Sequence, residues 1–200
     1  FNSIAPIFKA ANGKIKKAII FDCDNTLWKG VLGEDGFENI IINKEIQYYA
    51  KKLSRRGILI GLCSKNNYED VENVLNNHKD MVLKNKDIVI TKVNWIDKAT
   101  NLKSISHELN IGLDSMLFMD DSDFELNLIR KELPMVEVIK APNKDYELPI
   151  LFNYLNRTFY NFTETSEDQK RTLLYKAQIK RDNYKNDLTN INDYLINLGL

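Results

Sequence analysis

The chain is 200 residues long and 44% hydrophobic, with 28 Lys and Arg balancing 28 Asp and Glu. That length fits one ordinary domain with appended helices, and the balanced charge argues against the long-range field that draws nucleic acid or an anionic membrane. No apolar run approaches the roughly 20 residues that span a bilayer, and two cysteines, Cys23 and Cys63, are too few for a disulfide framework, so both read as free thiols of a reducing cytoplasm.

Residues 1–16 mix apolar and basic side chains around Pro6 and Gly13 and read as a linker or short helix. Phe1 opens neither a signal nor a transit peptide, and the absent Met suggests an excised piece of a longer chain. Ala18-Ile-Ile-Phe21 is then a continuous apolar run, the pattern of a parallel strand buried on both faces. It ends in Asp22 and Asp24. Three glycines between 30 and 36 suggest a flap or small hairpin over that strand end. Asn43 is placed to cap a helix carrying Ile46, Ala50 and Leu53 on one face and stopped by Gly57.

A second strand, 58–62, runs into Cys63-Ser-Lys-Asn66, and a helix over 68–77 puts Val71, Val74 and Leu75 together. Residues 88–95 form a third, β-branched strand. A helix follows from Asp97 or Thr100, with Leu102, Ile105 and Leu109 inward and Gly112 closing it. The fourth strand, 115–119, ends like the first in acids: Asp120, Asp121 and Asp123. A helix through Phe124, Leu128 and Ile129 reaches Pro134, and a fifth strand spans 135–139. Five strands alternating with helices predict an α/β fold with a doubly wound, mostly parallel sheet and right-handed crossovers. From 146 the pattern is helical: 146–159, then a polar segment over about 166–186, with Thr163, Thr165 and Ser166 as candidate caps. The expected organisation is a linker at 1–16, a catalytic domain at 17–160 and a helical extension at 161–200 that leads toward a further domain.

In a doubly wound sheet the carboxyl ends of the strands meet at one edge, where such folds bind ligands. That edge collects Asp22, Asp24, Ser64, Lys98, Asp120 and Asp121. Carboxylates so gathered repel one another and require a cation or proton between them. Mg²⁺ takes one or two carboxylates with waters and substrate phosphate. Lys98, the Ser64 hydroxyl and main-chain amides supply what phosphoryl oxygens need. Each element alone has a plainer reading, as a turn, a helix cap or a surface lysine; their placement on successive βα units carries the inference. His78 and His107 have no partner at zinc spacing, and Tyr48, Tyr49 and Phe8 read as packing residues.

Asp22-Cys-Asp24-Asn-Thr26 resembles the Asp-x-Asp-x-Thr signature of the haloacid dehalogenase (HAD) superfamily of phosphatases, and the other motifs follow in that superfamily's order. The resemblance implies that Asp22 is the nucleophile forming an aspartyl-phosphate and that Asp24 is the acid and base. It also implies that Ser64 and Lys98 hold the phosphate, and that Mg²⁺ lies on Asp22, the Asp24 carbonyl and Asp121, with Asp120 behind it. The intervals from Asp22 to Ser64 and from Ser64 to Lys98 are filled by predicted elements, which leaves no room for a cap domain.

A closer resemblance covers nearly the whole chain. Asp24-Asn-Thr-Leu-Trp28, Gly33-Glu-Asp-Gly36, Cys63-Ser-Lys-Asn66, Val93-Asn-Trp95, Leu113-Asp-Ser115 and Asp120-Asp121 look like the FkbH-like family. That implies removal of phosphate from 1,3-bisphosphoglycerate and loading of its glyceryl group onto an acyl carrier protein. Cys63 is then the candidate thiol, its pKa lowered by the metal and lysine nearby, while Cys23 packs. Two other readings stay open: a phosphomonoester phosphatase without acyl transfer, and a carrier-protein docking module that is not an enzyme.

Overall fold

The computed structural model describes residues 16–160 and 166–197. The expected linker lies outside the described residues except for Lys16, as do Phe8 and the candidate caps Thr163 and Thr165. In chain order the elements are β1 (Ala18–Phe21), β2 (Trp28–Lys29), α1 (Leu32–Asp35), β3 (Ile41–Ile42), α2 (Lys44–Arg55), β4 (Leu59–Ser64) and α3 (Tyr68–Asn77). They continue with β5 (Ile90–Val93), α4 (Lys98–Glu108), β6 (Met116–Asp120), α5 (Asp123–Glu132), β7 (Glu137–Lys140), α6 (Leu148–Thr158) and α7 (Ser166–Asn197).

Five strands make one parallel sheet in the order β5-β4-β1-β6-β7. β1 is central, pairing Phe21 with Leu62 on one side and with Met119 on the other. Its four residues are all buried because helices cover both faces. Alternation along the strand divides them between two cores. Ile19 and Phe21 join Leu53, Val74 and Leu155 under α2, α3 and α6; Ala18 and Ile20 join Leu102, Ile105, Leu126 and Ile129 under α4 and α5. The chain reverses direction across the sheet beside β1, between β4 and β6, which is the topological switch point of an open α/β sheet.

Most predicted elements are present, and the differences have local causes. The 88–95 strand shortens to Ile90–Val93 because Asn94 turns the chain: its Oδ1 accepts from Asn101 Nδ2 at 2.9 Å and from Ile96 N at 3.0 Å. Gly112 does not close α4, which ends at Glu108; the left-handed residue there is Asn110 (φ 49°). Phe124, expected on the apolar line of α5, is 72% exposed, and Leu126 and Ile129 carry that helix's packing. The hairpin after β1 is present as β2 paired antiparallel with β3, with the single turn α1 between them. α7 runs past the expected end near Asn186, since no Gly or Pro interrupts residues 166–197. Tyr175 and Ile179 pack α7 onto the second core, while Leu173 and Leu174 are exposed.

Candidate active site

The loop leaving β1 is folded by its own hydrogen bonds. The Cys23 carbonyl accepts from the amides of Thr26 (3.2 Å) and Leu27 (2.8 Å). Asn25 sits at φ 52°, and its Oδ1 accepts from Gly30 N at 3.0 Å. Gly30 is at φ 102° with Asp35 Oδ2 where a Cβ would point, so the position suits glycine alone. Asn43 does not cap α2 with its side chain; Nδ2 donates instead to the Thr26 carbonyl at 2.7 Å and ties the loop down. Buried Gln47 adds a second tie, donating to the Leu27 carbonyl at 2.8 Å.

Asp22 follows β1 directly and is 4% exposed; Asp120 ends the neighbouring β6 and is fully buried. Lys98, the first residue of α4, reaches both. Its Nζ lies 2.9 Å from Asp22 Oδ1 and 2.6 Å from Asp120 Oδ2, and 5.8 Å from the centre of the Phe118 ring. Asp120 Oδ1 accepts from Ser122 N at 2.9 Å, so both its oxygens are engaged. Asp121 is more open, and ligand atoms of Asp22, Asp120 and Asp121 lie within 4.8 Å of one another. Ser64, at the end of β4 on the other side of β1, is buried and contributes a hydrogen bond that favours ionised Asp22.

The electrostatics follow from this crowding. Burial pushes the Asp22 carboxyl up to about 7, against the pull of Lys98 and with a further push from Asp120. Burial works to lower the Lys98 pKa, and the two carboxylates more than reverse it, keeping the ammonium charged. Asp121 is also raised, by burial and then by Asp120. Three carboxylates with one ammonium among them leave a negative cluster of hard oxygen donors, the set that suits a hard divalent cation.

Asp24 is half-buried and held at both oxygens. Oδ1 accepts from Trp28 Nε1 at 2.8 Å and from Leu32 N at 3.1 Å; Oδ2 accepts from Asn66 Nδ2 at 2.9 Å. Residue types along the sequence did not single out Trp28 or Asn66 as site residues. The available signal was that each stands within two or four residues of a strand-end acid or hydroxyl and carries an N–H donor.

The fold therefore brings Asp22, Asp24, Ser64, Lys98, Asp120 and Asp121 to one strand edge. Cys63 is nearby but faces the other way. It is fully buried in the core beneath α4 with Ala18, Ile20 and Phe118, and Sγ lies 3.9 Å from the Lys98 carbonyl. Burial pushes its thiol up to about 12, outweighing the pull of Lys98, which corrects the expectation of a lowered pKa. Cys23 is likewise buried and raised, as a packing residue should be. A cavity of about 960 Å³ lies between α4 and α7, lined by His107, Leu109, Leu174 and Tyr175 among others, with none of the clustered acids in its wall. No helix among the described residues is long and apolar enough to cross a membrane.

No family profile and no curated protein matches the chain. Among solved structures, it is similar to the N-terminal part of a Bacteroides fragilis protein containing a phosphatase domain complexed with Mg, at 40% identity and TM-score 0.70. That match covers 80% of this chain, which spans only 44% of the other. A 3-deoxy-D-manno-octulosonate 8-phosphate phosphatase from Moraxella catarrhalis, in complex with magnesium, phosphate and KDO, matches at 16% identity and TM-score 0.54, covering 81% of this chain and 95% of that one. A HAD family enzyme from Bacteroides thetaiotaomicron, in complex with magnesium and inorganic phosphate, matches at 13% identity and TM-score 0.52, covering 66% and 97%. The last two likenesses concern the fold alone.

Proposed function

We propose, from the HAD superfamily phosphatase fold that this chain has, that it is a magnesium-dependent phosphohydrolase working through an aspartyl-phosphate on Asp22. The observation that carries this reading is Lys98 Nζ held between Asp22 and Asp120 at the switch point, with Asp121 completing a three-carboxylate cluster. Asp22 Oδ attacks phosphorus; the Asp–O–P bond forms as the bond to the leaving oxygen breaks, and Asp24 gives that oxygen a proton. Asp24 then takes a proton from water, whose oxygen displaces Asp22 and frees phosphate. Two of the three N–H groups of Lys98 are spent on carboxylates, so the third serves the phosphoryl group together with the Ser64 hydroxyl. Asp22, Asp121 and the main-chain carbonyl of Asp24 are the ligands we assign to Mg²⁺, with Asp120 orienting Lys98 behind them. When bound, the metal cancels the repulsion between a carboxylate nucleophile and an anionic phosphate.

The test is phosphate release from phosphomonoesters with Mg²⁺ and with EDTA, alongside intact-mass detection of a phosphorylated chain. Wild type turning over no phosphomonoester at any Mg²⁺ concentration overturns the proposal.

The finer reading, transfer of a glyceryl group from 1,3-bisphosphoglycerate to an acyl carrier protein, rests on the family resemblance and on the shortness of the segment after β1. Between β1 and α2 the chain forms only the β2–β3 hairpin and α1. It requires Cys63 to be uncovered, so that Sγ bonds the acyl carbon as phosphate leaves and then passes the acyl group to the carrier thiol. A glyceryl adduct lost in Cys63→Ala supports transfer. Phosphate release without an adduct leaves a phosphatase, and carrier binding with no turnover leaves a docking module.

A further inference from the structure

We infer that Asn66 is the positioning residue for Asp24, and that it couples this acid and base to the phosphate-binding hydroxyl through a single amide. The inference rests on the role proposed above for Asp24. Asn66 Nδ2 lies 2.9 Å from Asp24 Oδ2 and 3.3 Å from Ser64 Oγ. An amide nitrogen carries two hydrogens and can serve both acceptors at once. Asn66 is itself buried, on the turn between β4 and α3, whereas Asp24 belongs to the loop after β1. The amide therefore spans two separate strand ends. Ser64 ends β4, beside β1, after which Asp22 follows directly, so one amide joins the acid and base to the hydroxyl at the strand edge of the attacking carboxylate.

Asp24 has no ion pair among the described residues to fix its direction. Trp28 Nε1 and Leu32 N both hold Oδ1. The Asn66 amide holds Oδ2, and fixing both oxygens fixes the direction in which Asp24 presents a proton to the leaving oxygen. Solvent alone could satisfy a half-buried carboxylate. The structure instead commits a buried indole and a buried amide to it, which costs desolvation and side-chain entropy.

The experiment compares kcat/KM for two probes. p-Nitrophenyl phosphate has a leaving group that departs without a proton, whereas glycerol 2-phosphate needs one. Asn66→Ala is expected to lower kcat/KM for glycerol 2-phosphate by about 10- to 100-fold, within the range of general acid catalysis, and for p-nitrophenyl phosphate by less than about 5-fold. Asp24→Asn gives the same split with a larger loss, and Asp24→Asn with Asn66→Ala together is no worse than Asp24→Asn alone. Thermal melting confirms folding. If Asn66→Ala does not fold, the neutral, near-isosteric Asn66→Leu removes the same donor without adding a charge and carries the same expectation. Equal losses on both probes in a folded Asn66 variant overturn the inference. Absence of a split in Asp24→Asn sinks the assignment of Asp24 itself, and the inference with it.

Discussion

Lys98 is the most informative residue to remove. The residue is 5% exposed, and its ammonium stands 2.9 Å from one buried carboxylate and 2.6 Å from another. At an effective dielectric near 20, each contact has a gross attraction of about 6 kcal/mol, most of it offset by the desolvation of three charged groups. What remains on breaking a buried pair by removing one partner is about 3–5 kcal/mol, because the other charges stay buried without compensation. Lys98→Met keeps the volume and deletes the charge. In EDTA it should unfold at lower urea, with stability reduced by about 3–5 kcal/mol, roughly a 10 °C fall in Tm for a chain of this size. Adding Asp120→Asn to Lys98→Met should restore part of the loss, since one of the two stranded carboxylates is then neutral. Phosphate release should vanish in both. If Lys98→Met in EDTA lies within about 1 kcal/mol of wild type, Lys98 is not what neutralises the cluster, and the electrostatic account of the site is wrong.

Four further outcomes are expected. Mg²⁺ should raise the Tm of wild type by mass action, with a much smaller rise in Asp121→Ala, measured by melting at graded Mg²⁺. Asp22→Asn should lose at least about a thousandfold in turnover while keeping its urea midpoint within a few tenths of a molar, because Lys98 retains Asp120 as a partner; turnover near wild type would rule out a nucleophile at this position. With thiols buried and raised, Ellman's reagent at pH 8 should titrate no cysteine in the native protein and both after denaturation. A rapidly reacting Cys63 would show that the core beneath α4 opens. Away from the site, Gly61→Ala should cost about 1–3 kcal/mol, as its Cβ would lie 2.6 Å from Ile20 Cδ1 and 3.1 Å from Ile90 Cγ2 in a packed core.

The alternation of apolar runs with amphipathic helices was legible in the sequence because both signals are local. β1 reads as buried on both faces from four consecutive apolar residues, and α3 has the bounds its periodicity predicts. The strand-end acids, Ser64 and Lys98 were legible for the same reason: each immediately follows or precedes an element whose type the neighbouring residues determine. Sequence alone therefore established the fold class and the set of groups gathered at one edge.

Only the tertiary structure decided how those groups meet. The order β5-β4-β1-β6-β7, set by long-range packing on both faces, seats Asp22 next to Asp120 and makes Lys98 the bridge between them. The same pleat that carries Ser64 to the site turns Cys63 into the core, because successive side chains of a strand point to opposite faces. The hold of Trp28, Leu32 and Asn66 on Asp24 joins the loop after β1 to the end of β4, 42 positions apart in the bond from Asn66. No local pattern records such a contact, since it exists only once the sheet has brought β1 and β4 side by side.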